Sequence, residues 1–459
     1  MRGTMFVTDN HRYRQRMVER RRGHLWWKIL LALLLVVVMA AVAGYWYMRP
    51  LLLTGTGYAA HNACAVANIS ERTDPAEDLP PNPLVPYLRT STGDGSVTAS
   101  VLGFLAGQTA WYTEGFGCTL SEERPDLPAA AAVTDTNPLV VASEPTDPPA
   151  GVEDAVDAAF ADGLGTRGVV VVADGELVAE RYADGFTAAT PQLGWSMSKS
   201  VTNLLVGRLV QTAGFDIHAT DLRPEWAGDE RSQITADHLM RMTSGLAWDE
   251  TYDLGTPITE MLYIADDMGE FVAAQELEFP VGEVLEYSTG STNLLCSVAL
   301  DAVDGDADLP RELVLEPLGL PHAQWEPDAA GVPVCGSYLW ATPREWAALG
   351  QFAMADGVVD GERLLPEGWM AEATTATGEF PDVDPYGASW WLNEGTDGSL
   401  RFPDLPADAY WMSGHDGQWV FVIPSQETVV VRMGFSPNRG IDELGVPDLV
   451  AGVLEALQD

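Results

Sequence analysis

Residues 29–48 form a run of twenty positions without a charge, dominated by Leu, Val and Ala. As a helix that length crosses a bilayer, and Trp26, Trp27, Tyr45, Trp46 and Tyr47 stand where interfacial aromatic belts belong. Further along, apolar positions become periodic. Residues 151–163 read as an amphipathic helix, and residues 168–173 and 176–182 as two strands joined through Asp174-Gly175, a strong hairpin signal. Val201, Leu204, Leu205, Val206, Leu209 and Val210 recur at three- and four-residue spacings and stop at Gly214, which predicts a buried helix. A long helix-and-loop region extends to about residue 375. Residues 417–423 and 428–433 make a second hairpin around Pro424-Ser425-Gln426, and a helix near 448–457 closes the chain. Two hairpins far apart in sequence predict an α+β fold, an α/β sandwich. One antiparallel sheet is flanked by terminal helices, with a mostly helical region inserted.

The organisation expected from these patterns has four parts: a basic cytoplasmic segment (1–28), a transmembrane anchor (29–48), an extracytoplasmic lead-in and linker (49–150) and one enzyme-sized domain (151–459). The basic segment holds Arg2, Arg12, Arg14, Arg16, Arg20, Arg21, Arg22 and Lys28, so the positive-inside rule leaves it in the cytoplasm and the bulk of the chain outside, periplasmic or at the cell surface. Ala41-Val42-Ala43 resembles a signal-peptidase site, but the apolar run is long for a signal peptide and bulky aromatics follow it, so an uncleaved anchor is preferred. Pro138 to Pro149, including Glu144, Pro145, Thr146 and Asp147, reads as a linker or surface crossing. The four cysteines, Cys64, Cys118, Cys296 and Cys335, allow three disulfide connectivities outside the cytoplasm or stand as buried thiols. Cys64–Cys118 with Cys296–Cys335 is the preferred pairing.

Composition is globular, 46% hydrophobic with 15 Trp, and the formal net charge is −42. The first 28 residues contribute +6, leaving −48 on the remainder, a surface that repels nucleic acid and anionic headgroups. No CxxC or Cys/His cluster suggests a metal, and no cofactor is expected.

Candidate chemistry centres on Ser196-Met197-Ser198-Lys199. Three residues apart on a helix, the Lys199 amine reaches the Ser196 hydroxyl. Serine needs a neighbouring base to become a nucleophile, and an amine serves only if its pKa is lowered. Among 25 Lys and Arg there are two lysines, Lys28 and Lys199, so Lys199 is the one lysine outside the membrane-proximal segment. Every other cation there is Arg, which cannot act as a base. Two further stretches follow. Glu286-Tyr287-Ser288-Thr289 opens an apolar helix, and a phenol with a pKa lowered by a nearby ammonium exchanges protons with a serine and a leaving group. Ser413-Gly414-His415-Asp416-Gly417-Gln418 brings glycines that admit close backbone approach and a strand-edge N–H suited to an oxyanion hole. Taken singly, Tyr287 also reads as a helix-entry tyrosine and His415 as a turn residue.

In this order, Ser196-x-x-Lys199, Tyr287-Ser288-Thr289 and His415-Asp416-Gly417 resemble the serine β-lactamase and penicillin-binding-protein superfamily, in its class C-like esterase and amidase branch. Trp195-Ser-Met-Ser-Lys-Ser200, His238-Leu-Met-Arg-Met-Thr-Ser-Gly-Leu246, Gly336-Ser-Tyr-Leu-Trp-Ala-Thr-Pro-Arg-Glu345 and Gly414-His-Asp-Gly-Gln418 are similar to the nylon-oligomer (aminohexanoate-dimer) hydrolase group. The resemblance covers roughly residues 150–459 and implies a β-lactamase/transpeptidase-like fold. It implies Ser196 as nucleophile, Lys199 as its base partner and Tyr287 as proton shuttle. The N–H groups of Ser196 and Gln418 would form the oxyanion hole, and His415, Gly417 and Thr289 would meet the substrate. Two departures matter: Thr289 replaces the Asn common in the tyrosine motif, and His415 stands where many relatives carry a lysine. Neither favours a β-lactam carboxylate, and no class A deacylation glutamate is visible.

The expectation is a membrane-anchored serine hydrolase cleaving a small-molecule ester or amide through an acyl-enzyme. The alternatives are a D,D-carboxypeptidase or penicillin-binding protein acting on cell-wall peptides, and a non-catalytic binding protein with the same fold. Asp249-Glu250-Thr251-Tyr252 and Trp390-Trp391 stand near enough to these motifs in chain order to line a cleft, or to serve helix ends and core packing.

Overall fold

A computed structural model describes residues 7–141, 145, 148–378, 380 and 383–458. Chain contacts divide it into two units, residues 1–52 and 53–459. From Val7 onward the first unit lies within a single long helix, α1 (Val7–Asn68), which carries Pro50 inside it. Large apolar side chains from Leu25 to Met48 are exposed, Trp26 by 65% and Val37 by 62%. The helix is long and apolar enough to cross a membrane. The expected anchor at 29–48 falls inside it, without the helix ending at Met48.

The second unit begins with the buried end of α1, where Leu53, Ala59, Ala60, Cys64 and Val66 are closed to solvent. An antiparallel four-stranded sheet follows: β1 (Leu88–Thr92), β2 (Ser96–Val101), β3 (Leu105–Thr113) and β4 (Gly117–Leu120), paired in chain order. The Cys64–Cys118 disulfide ties α1 to β4, and Val97, Ala99 and Ala110 pack with the helix in one small core. The lead-in expected over 49–150 is thus partly a helix and a sheet. Strand β2 alternates polar with buried apolar residues along Ser96-Val97-Thr98-Ala99-Ser100-Val101, a local signal the expectation passed over, whereas β1 and β3 carry Thr, Ser, Gly and Gln without that alternation. Of the expected linker, Pro138–Val141 is a short helical turn, while Glu144, Thr146 and Asp147 lie outside the described residues.

The main sheet has six strands in the order β7-β8-β9-β10-β5-β6. They are β5 (Thr166–Ala173), β6 (Glu176–Tyr182), β7 (Trp391–Leu392), β8 (Tyr410–Gly414), β9 (Gln418–Ile423) and β10 (Thr428–Gly434). As expected, the two hairpins join in one antiparallel sheet, β10 against β5. Asp174 and Gly175 both take positive φ, 50° and 78°, as a type I′ turn requires. The run of valines in β5 does not alternate with polar residues because both faces are covered. Val170 and Val172 meet the large core, whereas Val169 and Val171 meet α2 (Ala150–Ala158) and α6 (Val446–Ala456).

On the large-core side stand α3 (Met197–Ala213), α4 (Thr289–Asp301) and α5 (Pro343–Met354). Helix α3 buries Met197, Lys199, Val201, Leu204, Leu205 and Leu209 and ends at Gly214, whose left-handed backbone directs its N–H to the last-turn carbonyls. The second disulfide, Cys296–Cys335, joins α4 to the loop that leads into residues 339–341. Both cysteine pairs match the preferred connectivity.

Candidate active site

Ser196 sits at the N-terminal cap of α3, after a turn with little freedom. Trp195 has φ 49°, a left-handed conformation for a bulky residue, which stores on the order of 1 to 3 kcal/mol of strain. Its indole is wedged edge-on among Tyr58, Tyr252 and His415, at centroid distances of 6.0, 5.9 and 5.6 Å. A Cβ on Gly414 would lie 2.1 Å from the Gly194 carbonyl oxygen, so glycine is what lets the end of β8 close against the nucleophile turn.

Lys199 is 1% exposed, and its Nζ has three partners: Ser196 Oγ at 2.8 Å, Thr289 Oγ1 at 2.7 Å and the Gly336 carbonyl at 3.0 Å. Burial pulls its pKa down to about 8, against an opposing pull from the Glu250 carboxylate. The amine lies 4.9 Å from the centre of the Tyr287 ring. Tyr287 departs from the sequence expectation in one respect. Its pKa is raised, first by burial and then by Glu250, with only partial relief from a hydrogen bond with Ser196. Burial disfavours the charged form, so the group stands as a neutral phenol rather than a ready phenolate.

Thr289, expected to meet substrate, is instead fully buried at the start of α4. Its hydroxyl accepts from Lys199 and donates to Glu250 Oε1, while its backbone N–H reaches Glu250 Oε2 at 2.9 Å. Trp248 Nε1 donates to the same Oε2 at 2.6 Å.

Ser196 opens on a cavity of about 670 Å³. Glu250, Tyr252, Tyr287, Trp391, Ser413, Gly414, His415 and Asp416 line it from the main domain. His415 stacks on Tyr252 at 4.1 Å. Gln418 and Gly417, expected beside the substrate, are not among the lining residues. Gln418 pairs with Gly414 across the hairpin, so Gly414 is the residue that meets the nucleophile turn. The Gln418 side chain holds both backbone groups of Gly434, at 2.9 and 2.6 Å, and borders a separate cavity of about 30 Å³. Gly417 (φ 102°) faces the Arg432 guanidinium. Among the described residues the N–H groups of Ser196 and His415 have no hydrogen-bond acceptor in the protein.

Several contributors were not singled out from the sequence. Thr54, Tyr58 and Pro80 to Pro83, all before the main sheet, form one wall of the cavity. Tyr58 stacks on Tyr263 at 5.1 Å. The Pro80-Pro81-Asn82-Pro83 run was the one local cue, since such a segment holds a shape without hydrogen bonds. Asp416 is a further surprise. Both its carboxylate oxygens are buried without a hydrogen-bond partner, His415 Nε2 lies 3.4 Å from one of them, and burial raises its pKa. Among the described residues no group of three or more His, Cys, Asp or Glu is arranged to hold a metal ion.

A family model described as Beta-lactamase matches residues 154–439. A 6-aminohexanoate-dimer hydrolase from Paenarthrobacter ureafaciens is 23% identical over 314 residues, 60% of this chain and 73% of that protein. Among solved structures, a Bacillus anthracis protein assigned as a 6-aminohexanoate-dimer hydrolase superposes with TM-score 0.57 at 20% identity, covering 71% of this chain and 90% of its own. A family VIII carboxylesterase superposes with TM-score 0.55 at 18% identity, covering 69% and 99%. At these identities the superpositions speak for the fold.

Proposed function

We propose, for a chain that belongs to the beta-lactamase family and is a serine hydrolase, that it cleaves an ester or amide through an acyl-enzyme on Ser196. The observation that carries this reading is the 2.8 Å contact between Ser196 Oγ and a buried Lys199 whose pKa is drawn down to about 8. Neutral Lys199 takes the Ser196 proton as Oγ attacks the carbonyl carbon. The N–H groups of Ser196 and His415 meet the oxyanion, in place of the Ser196 and Gln418 pair expected from the sequence. Tyr287, a neutral phenol beside both Ser196 and Lys199, passes a proton to the leaving group. Water then repeats the sequence on the acyl-enzyme with the same groups.

Among the described residues the cavity wall contains no Lys or Arg, while Glu250, Asp253 and Asp416 are on it. A substrate whose recognition needs a carboxylate, such as a β-lactam or the end of a cell-wall peptide, finds no permanent cation on that wall. This favours an ester or amide without an anionic group over the D,D-carboxypeptidase alternative. The apolar helix supports a membrane anchor with the enzyme domain outside the cytoplasm.

The test is fluorophosphonate labelling and turnover of p-nitrophenyl esters and small amides by the wild type and Ser196→Ala. Labelling and hydrolysis lost in the mutant support the reading; unchanged turnover sinks it.

A further inference from the structure

Neutral Lys199 has two N–H bonds and one lone pair, and catalysis needs that lone pair to face Ser196. The Gly336 carbonyl is an obligate acceptor and takes one N–H. Thr289 Oγ1 is not obligate, because a hydroxyl either donates or accepts. If it rotated to donate to Lys199, it would occupy the lone pair and silence the base. Glu250 removes that freedom. Its Oε1 accepts the Thr289 hydroxyl proton, so Thr289 presents only a lone pair to Lys199. The carboxylate is itself held on Oε2 by the Thr289 N–H at the start of α4 and by Trp248 Nε1. It therefore sits at a helix N-terminus, where negative charge is favoured.

We propose that Glu250 is a positioning residue of a Ser196–Lys199–Thr289–Glu250 chain, orienting the lysine lone pair through the Thr289 hydroxyl and stabilising the ammonium formed during acylation. This rests on the hydrolase reading above. The proton balance is simple. The Ser196 O–H breaks as its oxygen bonds the acyl carbon, the proton moves to Lys199 Nζ, and it leaves by way of Tyr287 with the departing group. Glu250 stands outside this transfer, since its two oxygens accept from the Thr289 hydroxyl, the Thr289 N–H and Trp248 Nε1 and neither contacts Nζ. Its part resembles that of the carboxylate in a serine triad, acting on an ammonium rather than an imidazolium.

The titratable groups beside Lys199 are Glu250 from its loop and Tyr287 ahead of α4, while His415 and Asp416 line the cavity on which Ser196 opens. Glu250 is the one that draws the lysine pKa upward. Its removal therefore has two separable effects on the full-length protein, read as the rate of fluorophosphonate labelling between about pH 6 and 10. In Glu250→Gln the rising limb moves to lower pH, and the plateau falls on the order of 100-fold. Thr289→Val, which keeps the charge but removes the hydroxyl, also loses the plateau, and Thr289→Ser restores it. A shifted limb with the plateau intact overturns the proposal, leaving a remote charge. A lowered plateau with an unmoved limb overturns it too, leaving a structural prop. If Glu250→Gln does not fold, the Thr289 pair decides, and Val labelling as fast as Ser is fatal. Wild-type protein that does not label at all refutes the hydrolase reading itself, a result distinct from either.

Discussion

At the scale of the residue, Lys199 is where burial becomes reactivity. An exposed lysine is an ammonium at neutral pH. Here desolvation lowers the pKa to about 8, so the basic form accumulates as pH rises through that value. The sign follows directly: kcat/KM for a p-nitrophenyl ester should climb from pH 6.5 to a plateau above about pH 9, a profile steady-state kinetics can trace. Lys199→Arg keeps the charge and removes the base, so acylation should fall by about 10² to 10⁴, with the mutant still folded by circular dichroism. Ser196 and Lys199 were legible as a pair because helical spacing brings residues three apart to one face. Glu250 was not legible as their partner, because its contact with Thr289 crosses 39 residues of sequence and depends on how two loops pack.

At the scale of the element, helix α3 and strand β8 have to meet closely, and glycine permits it. Gly414→Ala would set a methyl against the Gly194 carbonyl. The strand must then retreat, and with it the His415 N–H. A displacement of about 1 Å is enough to cost on the order of 100-fold in kcat, with a much smaller change in melting temperature. The Cys296–Cys335 bond acts on the same site from the other side. Cys335 precedes Gly336, the lysine's carbonyl acceptor, and its own carbonyl accepts from Thr202 at 3.0 Å. Replacing both cysteines with serine should lower unfolding free energy by about 2 to 4 kcal/mol in urea titrations. Hairpins and α3 were readable because turn chemistry and periodicity are local signals. Strand β8 was not, since Tyr410-Trp411-Met412 has no alternation once both faces of its sheet are covered.

At the scale of the whole molecule, the segment ahead of the matched family region is part of the enzyme. Tyr58 and Pro80 to Pro83 wall the cavity, although the family match begins at residue 154. Tyr58→Ala should therefore alter KM across an ester series of increasing acyl size more than it alters labelling by a small fluorophosphonate. The apolar helix makes a separate expectation. The full chain should enter the detergent phase in a Triton X-114 partition, and a chain beginning at residue 53 should remain in the aqueous phase.

The sequence by itself determined the membrane-length helix, the two hairpins and the Ser196–Lys199 pair, and left the cysteine pairing a preference among three. Each rests on spacing, turn residues or composition, which act over short distances or by count. Only the tertiary structure decided that Gly414 rather than Gln418 abuts the nucleophile turn, that Thr289 faces Lys199 and Glu250 instead of substrate, and that Tyr287 is held as a neutral phenol. Those outcomes depend on strand register, on which faces become dry and on loops that meet across the fold. Desolvation and long-range packing set them, and neither is written in any local pattern of residues.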